Sequence, residues 1–206
     1  MNAQITKILP VDEAKQDPSF FAFRTRLLTS IRQRDTTFLY GALAKDILNS
    51  FGGNGGIAEF KAQWRPEDPD SKLWQTLSEV LALGGQFEKS FEGERMFVAP
   101  YVFSARPSVA FDSYKHGVII GRDVRVRRQP DLSSPTIAKL SFDVVRADWT
   151  VQAGQGAAKR LWIAVQLVDG ARGFVAAKYI RSPIDYRAAF VLRDGRWLLK
   201  FLIAGD

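Results

Sequence analysis

The chain has no cysteine in its 206 residues and one histidine, His116. Without thiols there can be no disulfide, thiolate metal site or cysteine nucleophile. A cysteine-free chain tolerates an oxidising compartment without proving one. A lone histidine cannot anchor the usual zinc arrangements, which draw several ligands from His and Cys. No Gly-x-Ser-x-Gly elbow accompanies it, so between Lys115 and Gly117 it reads as a surface or hinge residue. No run of about 18 apolar residues is present, and no helical membrane span is expected. Met1 to Gln16 lacks the basic start and apolar run of a secretory signal. It reads as a flexible lead-in, equally consistent with a mature chain whose leader has been removed.

Net charge is missing from the first half. Residues 1–116 carry 14 basic and 14 acidic side chains, whereas residues 117–206 carry 15 and 8, so the whole formal charge of +7 belongs to the second part. A one-sided field favours an anionic partner, although scattered solvated charges also simply keep a protein soluble. With 46% hydrophobic and 12% aromatic residues, the chain has ample material for one large or two small cores.

The first half reads as helical. Asp17-Pro18-Ser19 offers a capping carboxylate followed by proline at the first helical position, and Phe20, Phe23, Leu27, Leu28 and Ile31 follow at helical spacing. Asp35-Thr36 ends this helix and caps a second, with Leu39, Leu43 and Ile47 as its buried stripe. Phe51 to Gly56 is a glycine-rich turn; it lacks the Lys-Ser or Lys-Thr of a phosphate-binding loop. A short helix with Ile57, Phe60 and Trp64 follows, then another with Leu73, Trp74, Leu77, Val80 and Leu81. The densest acidic cluster, Glu67, Asp68 and Asp70, flanks Pro66 and Pro69 and reads as a helix start before it reads as an acid–base pair.

From Phe87 the period falls to two. Met96-Phe97-Val98 and Tyr101-Val102-Phe103 read as strands separated by Pro100, with Arg106-Pro107 as a turn. At the other end, Asp194-Gly195 between two apolar runs is a strong hairpin signal covering Tyr186 to Ile203. Between them lie Val124-Arg125-Val126-Arg127-Arg128, a turn-rich Asp131 to Pro135, Ile137 to Leu140, Trp162 to Val165, Gly173-Phe174-Val175 and Tyr179-Ile180, with Ala153 to Lys159 as a long exposed loop. This order of parts, about a third of the chain, resembles a bacterial SH3 domain. The family's glycine-tryptophan-valine triplet stands here as Gly173-Phe174-Val175, which keeps the packing and loses the indole donor. The remaining helices, strands and Asp194-Gly195-Arg196-Trp197 hairpin resemble, more loosely, the cone-shaped fold of nuclear transport factor 2.

The expected class is α+β, with a helical and mixed N-terminal part plus an SH3-like small β-barrel. On one reading, residues 17–113 and 184–206 form a discontinuous cone-like domain with the barrel, 114–183, inserted before the closing hairpin. On the other, an independent helical domain precedes a β domain that keeps the hairpin. Strand alternation puts Arg125 and Arg127 on one face as candidate anion-binding residues, while Trp149 and Tyr179 are candidates for a groove that takes extended peptide. Trp162 and Phe174 read as core more readily than as a ligand platform. Nucleic acid is disfavoured as a partner, because exposed aromatics do not visibly interleave with the basic positions. The resemblance implies a non-catalytic binding module of the bacterial cell envelope, periplasmic or secreted, meeting a peptidoglycan peptide or an envelope protein without cofactor or metal. The alternatives are a hydrolase or isomerase using a pocket in the cone-like domain, and a purely structural interaction domain.

Overall fold

A computed structural model describes residues 7–90, 93–105, 112–153 and 162–205. The chain divides into two compact units, one of Val11–Ser104 with Ile184–Asp206, the other of Met1–Pro10 with Ala105–Pro183. The fold class is α+β. No helix among the described residues is long and apolar enough to cross a membrane.

In the first unit, α1 (Pro18–Gln33) starts where Asp17 accepts hydrogen bonds from the Ser19 and Phe20 amides at 2.8 and 3.0 Å. The Ser19 contacts and the Arg95 guanidinium hold the Asp17 carboxyl below its usual range. Arg34, in the left-handed region at φ 53°, turns the chain, and Asp35 caps α2 (Thr36–Gly41) through the Phe38 amide. Here the structure departs from the sequence expectation. Leu43 and Ile47 do not continue a second helix; they lie in β1 (Leu43–Leu48), parallel to the last strand of the chain. The Ala42 carbonyl accepts the Leu199 amide at 2.7 Å, so the sheet takes the backbone that a longer helix would have used. A short apolar run cannot be assigned by spacing alone when a sheet edge competes for it.

The helices α3 (Gly56–Trp64) and α4 (Leu73–Ala82) follow, then β2 (Gln86–Lys89), β3 (Arg95–Ala99) and α5 (Tyr101–Ser104). Tyr101 to Phe103 therefore form a helical turn, correcting the expected strand. Pro100 brings no amide to the ladder, and its carbonyl accepts the Phe103 amide at 3.0 Å.

The second unit carries β4 (His116–Ile119), β5 (Val124–Arg127), β6 (Thr136–Leu140), β7 (Val144–Ala153), β8 (Trp162–Gln166), β9 (Arg172–Ala176) and β10 (Ile180–Arg181). They form one open sheet in the order β10-β4-β7-β8-β9-β5-β6, with every neighbour antiparallel. Val124, Val126, Val145, Ile163, Val165 and Val175 share a single core. Part of the expected flexible lead-in is fixed here. Lys7 pairs with the buried Asp143 at 2.8 Å, and the amide of buried Ile8 donates to Phe142 O at 2.9 Å. The expected turn at Arg106-Pro107 and nearly all of the Ala153–Lys159 loop lie outside the described residues.

The chain then returns to the first unit with the hairpin β11 (Arg187–Arg193) and β12 (Arg196–Ile203), giving a sheet ordered β1-β12-β11-β3-β2. β11 pairs with β3 from Ala188↔Ala99 to Val191↔Met96. The hairpin therefore pairs within the helix-bearing unit. The core behind this sheet is aromatic: Phe20 lies 4.2 Å from Phe97, 4.9 Å from Trp197 and 5.6 Å from Phe87, centroid to centroid.

Candidate functional site

The central strands of the β-rich unit alternate between two faces over most of their length, Trp162 at the start of β8 being buried beside Ile163. On β7, β8 and β9 the residues Val145, Ala147, Ile163, Val165, Gly173 and Val175 are buried, while Arg146, Asp148, Ala164, Gln166, Arg172 and Phe174 take the opposite face. The pairing register aligns them in rows. Arg146, Gln166 and Arg172 stand side by side, and Asp148, Ala164 and Phe174 form the next row, which continues into Arg127 of β5. Strands lie about 4.8 Å apart, so the backbones of Arg146 and Arg172 stand roughly 10 Å apart with a neutral amide between them.

Over these rows opens a cleft of about 660 Å³, whose rim and floor include Lys115, Arg128, Arg146 and Arg172, the aromatics Tyr114, Trp149 and Phe174, and one acid, Asp148. The arginines Arg128, Arg146 and Arg172 form no ion pair or side-chain hydrogen bond among the described residues. Lys115 is engaged, 3.0 Å from Asp112, and its hydrogen bond holds that carboxyl below the usual range. Asp148 accepts from the amide and hydroxyl of Thr150 at 3.0 and 2.6 Å. Three guanidinium groups with no ion pair among the described residues line the same cleft as an aromatic ring, a set that can receive an anion. Arginine also binds carboxylate or phosphate through two parallel N–H groups at once.

The triplet at β9 explains how the ring is presented. A Cβ on Gly173 would stand 2.7 Å from the Arg127 carbonyl and 2.7 Å from Val126 Cγ1, so only glycine lets β9 lie this close to β5. Val175 is fully buried in the core, and alternation then turns the half-buried Phe174 outward into the cleft. This corrects the reading of Phe174 as core; Trp162, by contrast, is buried.

No family model, curated protein or solved structure matches the chain.

The four residues singled out from the sequence do not converge. Arg125 is exposed on β5 opposite Lys139. Arg127 is half-buried and donates Nη1 to the Ser134 carbonyl at 2.6 Å, fastening the turn between β5 and β6. Trp149 does line the cleft, packed against the core beside Gly117, where a Cβ would come within 3.0 Å of its ring. Tyr179 is exposed in a 3₁₀ turn, Ala177–Tyr179, with Lys178 Nζ 5.0 Å from its ring centre, and it does not line the cleft. Arg146 and Arg172 were missed. The signal for both was present: each sits one residue before a buried position of its strand, as Arg125 does.

Other candidates are occupied by local structure. His116 opens β4, its Nδ1 3.1 Å from the Asp112 amide. The Gly55 amide donates to Glu59 Oε2 at 3.0 Å, so the α3 N-terminus is met by the helix's own carboxylate. Glu67 accepts from the Tyr40 hydroxyl, which lowers the Glu67 carboxyl. Burial, with that contact, pushes Tyr40 up to about 12. Asp68 folds its own turn by accepting the Asp70 amide at 2.9 Å. Among the described residues, no three His, Asp or Glu side chains are grouped to hold a metal ion.

Proposed function

We propose that this protein is a non-catalytic binding module whose β-rich unit holds an extended anionic ligand in the cleft over β7, β8 and β9. The observation that carries the proposal is that three arginines with no ion pair among the described residues, Arg128, Arg146 and Arg172, line one cleft together with the outward ring of Phe174. A ligand carboxylate is gripped between Arg146 and Arg172, the Gln166 amide between them hydrogen-bonds a backbone or amide group, and an apolar portion lies on Phe174. The resemblance of this unit to bacterial SH3 domains supports a carboxylate-bearing cell-wall peptide or an envelope protein segment as the ligand, and a periplasmic or secreted setting. Arg125 then serves as a flanking charge that raises the encounter rate rather than as a contact.

The test is retention of purified protein on isolated peptidoglycan across a salt series. Wild type is expected to bind and to elute as salt rises, since exposed charges are screened within about 10 Å at 0.1 M. The double variant Arg146→Glu/Arg172→Glu is expected to pass through at every salt concentration. Equal retention of the two proteins would remove the cleft from the account.

A further inference from the structure

The helix-bearing unit contains a second concavity, of about 410 Å³, formed by α1, α2 and the turn between β11 and β12. Ala22, Phe23, Phe38 and Trp197 supply its apolar lining, and two arginines, Arg26 and Arg196, stand among its polar residues. None of the lining residues is acidic. The Arg26 guanidinium lies 5.2 Å from the centre of the Phe38 ring, and Arg196 donates Nη2 to the Gly41 carbonyl at 3.1 Å. Neither arginine has an ion-pair partner among the described residues. The interior side of the aromatic wall is fixed: Trp197 is buried, its Nε1 donates to Ser19 Oγ at 2.9 Å, and Phe23 and Phe38 stand 6.4 Å apart. The floor is therefore rigid, while exposed Thr37 supplies a hydroxyl with no hydrogen-bond partner among the described residues.

We infer that this pocket binds a small planar apolar molecule bearing one carboxylate, the ring system lying against Phe23, Phe38 and Trp197 and the carboxylate held by Arg26 and Arg196. Its volume falls in the range of small-molecule sites, which combine apolar walls with a few polar groups that fix orientation. Two guanidinium groups with no acid beside them select an anionic head, and aromatic walls select a flat body. The site is separate from the cleft of the β-rich unit and stands or falls without it.

The probes are 2-naphthoate and its neutral counterpart 2-naphthylmethanol, titrated calorimetrically into the full chain. The wild type is expected to bind the carboxylate and to bind the alcohol at least about tenfold more weakly, the loss expected when a charge-assisted hydrogen bond goes. Arg26→Gln and Arg196→Gln should each produce a similar loss. Gly41→Leu, at a lining position where a Cβ meets nothing within 4 Å and where leucine is a better helix former than glycine, should weaken binding by narrowing the pocket. Arg172→Gln, in the other cleft, should leave 2-naphthoate binding unchanged. No binding by the wild type, equal binding of acid and alcohol, or a loss in Arg172→Gln matching that in Arg26→Gln would each overturn the assignment.

Discussion

Replacing Trp197 by alanine probes the junction on which the helix-bearing unit depends. The indole is 5% exposed, meets Phe20 at 4.9 Å and Phe87 at 6.1 Å, and donates to Ser19 Oγ. Deleting a buried tryptophan costs about 3–5 kcal/mol, because the transfer free energy is lost and the cavity only partly collapses. The Phe20 ring also packs on Phe97 at 4.2 Å, which limits how far it can move into the gap. For a unit of this size, each kcal/mol corresponds to about 4 °C, so Tm should fall by about 12–20 °C. The five α-helices among the described residues belong to this unit, so far-UV circular dichroism at the helical minimum follows its melting. Trp197→Phe keeps most of the apolar area and loses the donor, and should fall between wild type and alanine. A Trp197→Ala protein melting within about 2 °C of wild type would refute the packing argument.

Gly173→Ala should cost about 1–3 kcal/mol in urea unfolding through overpacking against the Arg127 carbonyl and Val126; an unchanged midpoint would mean that β9 and β5 are not so closely apposed. The acid limb of stability should report the network in which Arg193 binds both Asp46 and Glu94. Hydrogen bonding to Arg193, with Lys200 assisting, lowers Asp46 to about 2, and Arg193 also lowers Glu94. Depressed folded-state values contribute stability that is present above the unfolded-state carboxylate range and is lost as pH falls from about 4 towards 2. Asp46 is half-exposed, so solvent screening limits its share to about 0.5 kcal/mol or less. Arg193→Gln should flatten this limb in denaturant titrations at pH 5 and 2.5, and an identical acid dependence in the variant would count against the network.

Much of this architecture is legible in the sequence because local and global preferences agree. Asp17-Pro18 caps α1 as its chemistry requires, Asp194-Gly195 makes the hairpin, and the Val-Arg-Val-Arg run of β5 buries both valines while Arg125 is exposed and Arg127 half-buried. Reading failed where a partner far along the chain decides the local state. Leu43 and Ile47 have helical spacing, yet the edge of β12 draws them into a strand. The cleft shows the same limit. Arg146, Gln166 and Arg172 come from three strands, and only their register sets them in one row. Phe174 was misplaced for a different reason: an aromatic residue in an apolar strand is usually core, but the neighbouring Gly173 and Val175 already take the inward positions.

We propose that the cleft, and not positive charge in general, holds the ligand. This proposal is tested most directly by titrating soluble peptidoglycan stem-peptide fragments into wild type, Arg146→Gln, Arg172→Gln and Arg125→Gln, three substitutions that each remove one positive charge from the same sheet. The two cleft substitutions should each weaken binding about tenfold, as expected for loss of a charge-assisted hydrogen bond. Arg125→Gln should change it by less than about twofold, as for a charge that steers without contact. Equal losses in all three, or none in any, would contradict it.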